Sequence, residues 1–165
     1  MAAVARYLAD TSALARLHIT GVRSVLAPLI EAGLVATCAV IEFEVLWSTR
    51  SPDELTTVRH DRNLGYEWLP TEDVDGRRAL DVQGTLWASG RMRTVPLPGL
   101  LLAAIAERNQ VMILHYGADY DTIASITGQP ALWIVERARS PERKRLSETA
   151  RFRANHDELM KTLQA

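Results

Sequence analysis

Asp10, Glu42, Glu44, Asp119 and Asp121 are the residues of this chain whose setting could support chemistry. Asp10 ends "VARYLAD", a short apolar run rich in strand formers. Asp119 and Asp121 follow another such run, "VMILH", in the segment "YGADYD". In open parallel sheets ligands bind outside the carboxyl ends of the strands, which makes residues in these places the first to test. Each also has an ordinary reading. Asp10 suits a helix cap or turn, and Asp119 and Asp121 suit the first turn of a helix, where negative charge meets the positive end of the dipole.

Glu42 and Glu44 lie in "CAVIEFEVLW" among apolar neighbours, so at least one of them is expected to point into low dielectric. A buried carboxylate is costly unless paired or bound to a cation. If Asp10, one of these glutamates and Asp119 converge, their mutual repulsion calls for a hard divalent cation, Mg²⁺ or Mn²⁺. Such an ion can activate water and neutralise charge at a phosphodiester.

The stretch "TVPLPGLLLAAIAERN" adds a question of its own. An apolar helix over 100–109 is expected there, yet Gly99 stands where a capping Ser, Thr, Asp or Asn is usual.

These residues need elements to hold them. Strands are expected at "VARYLAD", "LVATC", "VMILH" and "ALWIV", alternating with helices. The later strands are apolar on both faces, which indicates an α/β/α sandwich around a mostly parallel sheet. "SPDELTTVRHDRNLGY" opens with a strong helix start. Pro28 predicts a kink or an early end in the helix of "VRSVLAPLIEAG". "TEDVDGRRALDVQGTLWASG" reads as a helix with Val74, Leu80, Val82 and Leu86 or Trp87 as inward positions, although Gly76 and Gly84 weaken it. Trp47, Trp68, Trp87 and Trp133 are expected in the core more than in base stacking. A domain over 1–138 and a charged helical extension over 139–165 are the expected organisation. The extension is read as a docked surface helix, with a partner-binding or RNA-contacting arm as the alternative.

Composition narrows the classes. A chain of 165 residues is one domain with room for a real core. A formal net charge of −1 does not announce a nucleic-acid binder, although charge can be arranged locally. The single cysteine, Cys38, excludes an internal disulfide or a Cys-rich zinc site and reads as a buried structural thiol. The start of the chain lacks a signal-peptide pattern and no apolar run approaches about 18 residues, so a cytoplasmic protein is expected. There is no dinucleotide fingerprint, no Walker-type lysine loop and no nucleophile elbow at Ser12. His18, His60, His115 and His156 form no spaced metal pair. His115 reads as a hydrogen-bonded structural histidine, with substrate contact as the lesser option. A phosphoacceptor receiver-like domain built on Asp10 is disfavoured, because "VMILH" ends in histidine where such domains use lysine.

Taken in order, "YLADTSAL", "TCAVIEFEVLWS" and "VPLPGLLLAAIAERNQVMILHYGADYDTIASITGQPALWI" resemble the PIN-domain ribonucleases, and more narrowly the VapC toxins of bacterial VapBC toxin–antitoxin modules. The resemblance spans about residues 5–135, and its last block is the most specific. It implies an α/β/α sandwich and an endoribonuclease that uses Mg²⁺ or Mn²⁺ on structured RNA such as tRNA or ribosomal RNA. It also implies a homodimer and a VapB-type antitoxin whose C-terminal segment covers the site.

By position, the resemblance makes Asp10 the first family acid, Glu44 the second, and Asp119 a third member of the catalytic set. The family motif has aspartate where this chain has Gly99 and again where it has Gly117, so both positions belong to the implied metal site. Loss of two charges predicts weak metal affinity and a poor nuclease. Arg77, Arg78, Arg91 and Arg93 are candidate RNA-phosphate contacts, since arginine pairs bidentately with phosphate, with solvated surface arginines as the equal alternative. The other reading is a catalytically dead interaction protein that dimerises and titrates an antitoxin.

Overall fold

The computed structural model describes residues 4–135. The extension expected over 139–165 lies outside them, as do the last residues of the domain expected over 1–138. Five strands, β1 (Tyr7–Ala9), β2 (Val35–Thr37), β3 (Glu67–Trp68), β4 (Met112–His115) and β5 (Ala131–Trp133), form one sheet in the order β3-β2-β1-β4-β5. Every pairing is parallel, with Leu8 beside Ala36 on one side and Ile113 on the other. The helices are α1 (Thr11–Leu14), α2 (Thr20–Glu31), α3 (Ala39–Trp47), α4 (Pro52–Gly65), α5 (Asp73–Ala88), α6 (Leu97–Asn109) and α7 (Asp119–Thr127).

From β1 the chain moves outward through β2 to β3, then returns past β1 to build β4 and β5. Right-handed crossovers running in opposite directions cover opposite faces of a sheet. Helices α2 to α4 therefore form one layer and α5 to α7 the other, which is the expected α/β/α sandwich. The reversal of direction falls between β1 and β4. There the crossovers diverge, and in open parallel sheets the carboxyl ends of strands at such a point are where ligands bind.

Strands β1 and β2 are buried along their whole length, and β4 along all but its first residue. Leu8, Ile113, Leu114 and Leu132 are fully enclosed, and Val22, Leu26 and Leu29 of α2 pack at helical spacing. Each such side chain contributes about 1.5–3 kcal/mol relative to exposure. Helix α4 starts as its sequence demands, with the Ser51 hydroxyl accepting from the Glu54 N–H at 3.1 Å. Asp75, buried near the start of α5, accepts two hydrogen bonds from Arg108 at 2.7 and 3.0 Å and so ties α5 to the last turn of α6. Cys38 is fully buried, and burial pushes its thiol up, as suits a structural cysteine.

Several expectations are corrected. Helix α2 does not end at Pro28 but runs three residues further to Glu31, where the Ala32 N–H donates to the Pro28 carbonyl at 3.0 Å. On α5 the inward stripe is Asp75, Ala79, Val82 and Leu86, so Val74, Leu80 and Trp87, one residue off that spacing, face outward. Trp47 is 91% exposed, and Trp68 and Trp87 are also exposed, leaving Trp133 as the tryptophan that is partly buried. The sequence around Trp47 is apolar on several sides, and α3 turns Ile41 inward while Phe43 and Trp47 face out. Helix α6 begins at Leu97 with Pro98 in its first turn, earlier than expected, and Gly99 lies inside that turn. The strand β3 was not foreseen; Glu67, at its start, accepts from the backbone N–H groups of Val4 and Ala5.

Candidate functional site

The site is built where β1 and β4 end. The Asp10 N–H donates to the Leu114 carbonyl at 2.9 Å, carrying the β1–β4 ladder one residue beyond β1. Asp10 then caps α1, one carboxylate oxygen accepting from the Ser12 N–H at 2.9 Å. The other oxygen accepts from the Tyr120 hydroxyl at 2.9 Å, in buried surroundings. Asp10 is itself buried. The cap reading of this residue thus holds on one oxygen, and the other is engaged by the phenol.

Tyr120 enters from the first turn of α7. Burial, and then the Asp10 carboxylate, push its phenol far above the ordinary value, so it remains a hydrogen-bond donor. A Cβ built on Gly99 would lie 3.8 Å from the same phenol oxygen, 3.8 Å from Val95 and 3.9 Å from Ile123. Position 99 and Asp10 therefore flank one hydroxyl. A Cβ on Gly117 would lie 3.8 Å from a carboxylate oxygen of Asp119. These are ordinary contacts, and neither glycine has a positive φ, so a Cβ is accommodated at both positions.

His115, the last residue of β4, is fully buried. Its Nδ1 lies 2.7 Å from the Gly117 carbonyl, which can only accept, so Nδ1 carries the proton. Its Nε2 is buried without a hydrogen-bond partner among the described residues. Burial depresses the imidazole below its ordinary value, partly offset by the Gly117 carbonyl and nearby acids, and keeps it neutral. Its ring centroid lies 5.1 Å from those of Tyr120 and Trp133.

The two glutamates divide as their spacing allows. Glu44 is exposed and accepts from the Thr11 hydroxyl, one residue after Asp10. Glu42 is buried and committed elsewhere. Its carboxylate receives Arg62 through Nε at 2.8 and 2.9 Å and through Nη2 at 2.7 Å, together with the Thr37 hydroxyl. Arg62 in turn stacks 4.3 Å over the Tyr66 ring. Asp121 accepts from the Trp133 indole at 3.0 and 3.2 Å, which ties α7 to β5.

The arginines are dispersed. Arg77 pairs with Asp73 on the exposed face of α5. Arg78 pairs with Glu107, about 12 Å along α6 from Gly99 at the usual helical rise. Arg91 reaches Ser89 and Ser125, and Arg93 is exposed in the turn before α6.

Asp10, position 99 and Tyr120 thus meet, position 117 meets Asp119, and Glu44 joins Asp10 through Thr11. Among the described residues no group of three His, Cys, Asp or Glu is arranged to hold a metal ion. With positions 99 and 117 lacking carboxylates, the side chains present do not fit a divalent-cation site. Two residues with clear parts were not assigned roles from sequence: Tyr120 and Arg62. A buried glutamate demands a cation, and that demand could have pointed to an arginine in the following helix. Tyr120 offered only the hint of following Asp119 by one residue on a helix.

Ribonuclease VapC21 of Mycobacterium tuberculosis is 39% identical to this chain over 130 residues, covering 79% of this chain and 94% of the relative. Ribonuclease VapC51 of the same organism is 38% identical over 130 residues, covering 79% and 93%. Among solved structures, DNA-bound VapBC from Salmonella typhimurium gives a TM-score of 0.65 at 11% identity, covering 80% of this chain and all of that one. VapBC2 from Rickettsia felis, bound to a promoter DNA fragment, gives 0.61 at 11% identity, covering 76% and 96%. At such identities the structures show the fold. No family model matches the chain.

Proposed function

The chain belongs to the VapC family of PIN-domain ribonucleases, and from that premise we propose that it is a VapC-type toxin whose own RNA cleavage is weak. The observation that carries this reading is the meeting of Asp10 and position 99 at the Tyr120 hydroxyl, at the reversal point of the sheet. Asp10, Glu44 and Asp119 are the acids that remain, and positions 99 and 117 are where the set is incomplete. Its substrate class is structured RNA. Arg91 and Arg93, in the turn leading to α6, are the better placed phosphate contacts; Arg77 and Arg78 are paired with acids further from Gly99. Binding through them should weaken steeply as salt rises.

The partner is a VapB-type antitoxin, a reading supported by the likeness of this fold to toxin chains of VapBC assemblies. The functional unit is a homodimer in the cytoplasm. Among the described residues no helix is long and apolar enough to cross a membrane.

Mg²⁺ or Mn²⁺ dependence attaches to the restored site. A Gly99→Asp, Gly117→Asp double variant, assayed on structured RNA with Mn²⁺, is expected to cleave at least roughly a hundredfold faster than the unmodified chain, as a few kcal/mol of barrier lowering returns. No gain from the double variant counts against the site assignment.

A second reading is favoured by the same two glycines: a dead toxin fold that dimerises and sequesters antitoxin. Cleavage of RNA by the unmodified chain, lost in Asp10→Ala, excludes it.

A further inference from the structure

Arg62 and Arg16 both lie over tyrosine rings, and they differ in what neutralises them. Arg62 stands 4.3 Å over Tyr66 and is bound by Glu42. Arg16 stands 4.4 Å over Tyr116 and forms no ion pair among the described residues. Its Nη1 donates to the Ser12 carbonyl at 2.7 Å, the single protein acceptor of this guanidinium among those residues. Ser12 ties the group to the strand ends. Its hydroxyl accepts from the Tyr116 N–H at 3.0 Å, and its own N–H donates to Asp10 at 2.9 Å. The guanidinium is therefore tethered at the ends of β1 and β4 with most of its N–H donors unused.

We propose that Arg16 is a binding residue for an RNA phosphate, with Tyr116 as the positioning residue that holds it. A guanidinium already stacked and hydrogen-bonded has lost much of its freedom, so pairing with an anion meets a smaller ordering cost. Its planar fork matches two oxygens of a phosphodiester. Arg62 shows the same stack with the anion supplied by the protein, and Arg16 shows it with that place left to a ligand. The inference deepens the reading above: it rests on RNA as the ligand and names a side chain that grips the backbone.

The test is fluorescence anisotropy of a labelled RNA hairpin with the full chain in a chelator, so that binding is read without cleavage. Arg16→Gln is expected to weaken binding about tenfold, the worth of roughly one charge-assisted contact. It should also lower the slope of log affinity against log salt by about 1. Arg59→Gln removes the same charge from the exposed face of α4 and should change affinity by less than about twofold. Tyr116→Phe should bind as the unmodified chain does. Tyr116→Leu should lose about threefold at an unchanged slope, because the charge stays and the stack is gone. A merely structural tyrosine would change stability and leave RNA affinity alone.

Unchanged affinity and slope in Arg16→Gln overturn the proposal, as does an equal loss from Arg59→Gln. Absence of RNA binding by the unmodified chain at low salt overturns it too. Inorganic phosphate at matched ionic strength should leave the RNA bound, and displacement would assign the site to free phosphate instead. If Arg16→Gln fails to fold by circular dichroism, Arg16→Lys takes its place. It keeps the charge but loses the fork, so affinity should fall several-fold at the same slope, and an unchanged affinity overturns the proposal equally. RNA binding indifferent to Arg16 would leave the ribonuclease reading intact. An inactive Gly99→Asp, Gly117→Asp variant would sink that reading and leave these binding comparisons standing.

Discussion

Asp10 and Glu42 are both buried carboxylates, and the fold treats them differently. Glu42 sits between α3 and α4 with a guanidinium wrapped around it, so its charge is neutralised by the protein. Asp10 receives a phenol and a backbone N–H, donors without formal charge. A buried ion pair of this kind holds two helices in register. Asp10, by contrast, has no counter-charge beside it among the described residues. Polar density alone would not separate the two; the charge of the partner does.

That contrast can be broken at four points. The largest effect should follow Arg62→Ala, which strands Glu42 without a counter-charge and should cost about 3–5 kcal/mol in urea denaturation. Replacing the pair together, as Glu42→Leu with Arg62→Met, should recover most of that loss, because an apolar pair has no charge to desolvate.

Tyr120→Phe should cost less, about 2 kcal/mol in the same assay, since the Ser12 N–H still supports Asp10. A loss as large as that of Arg62→Ala would mean that Asp10 depends on the phenol as Glu42 depends on its arginine.

His115 sharpens the comparison through pH. Burial lowers its folded-state pKa below the ordinary 6.5, so protonation favours the unfolded chain. Its contribution is fully present above about pH 6.5 and is lost as pH falls through the folded-state value. His115→Phe should flatten that limb when denaturation midpoints at pH 7 and pH 5 are compared. An unchanged slope would show that other groups carry it.

The smallest effect should be Arg77→Ala. Its pair with Asp73 is exposed on both sides, so stability should stay within about 0.5 kcal/mol.

The sandwich was legible because its strands are apolar on both faces and its helices carry start signals such as Ser51. The same reasoning failed for Trp47, Trp68 and Trp87. Residue type says that tryptophan is usually well buried, while the phase of each helix and strand decides which way it points. In the site, Asp10 and Asp119 could be singled out from local patterns, because strand ends and helix starts are local; Glu44 and the site role of the two glycines came from the family resemblance alone. Tyr120 could not, since its acceptor is 110 residues away. Arg78 shows the same limit: its type suited phosphate, and a glutamate 29 residues on holds it.

Gly99 and Gly117 have room for a Cβ and a backbone that any residue can adopt. Neither is therefore required by the fold, and substitution there should leave the surrounding scaffold in place. Glycine and aspartate codons can differ by a single middle base. The distance between this chain and one with a full set of acids is therefore short in mutational terms. Two such base changes would place acidic residues at both positions.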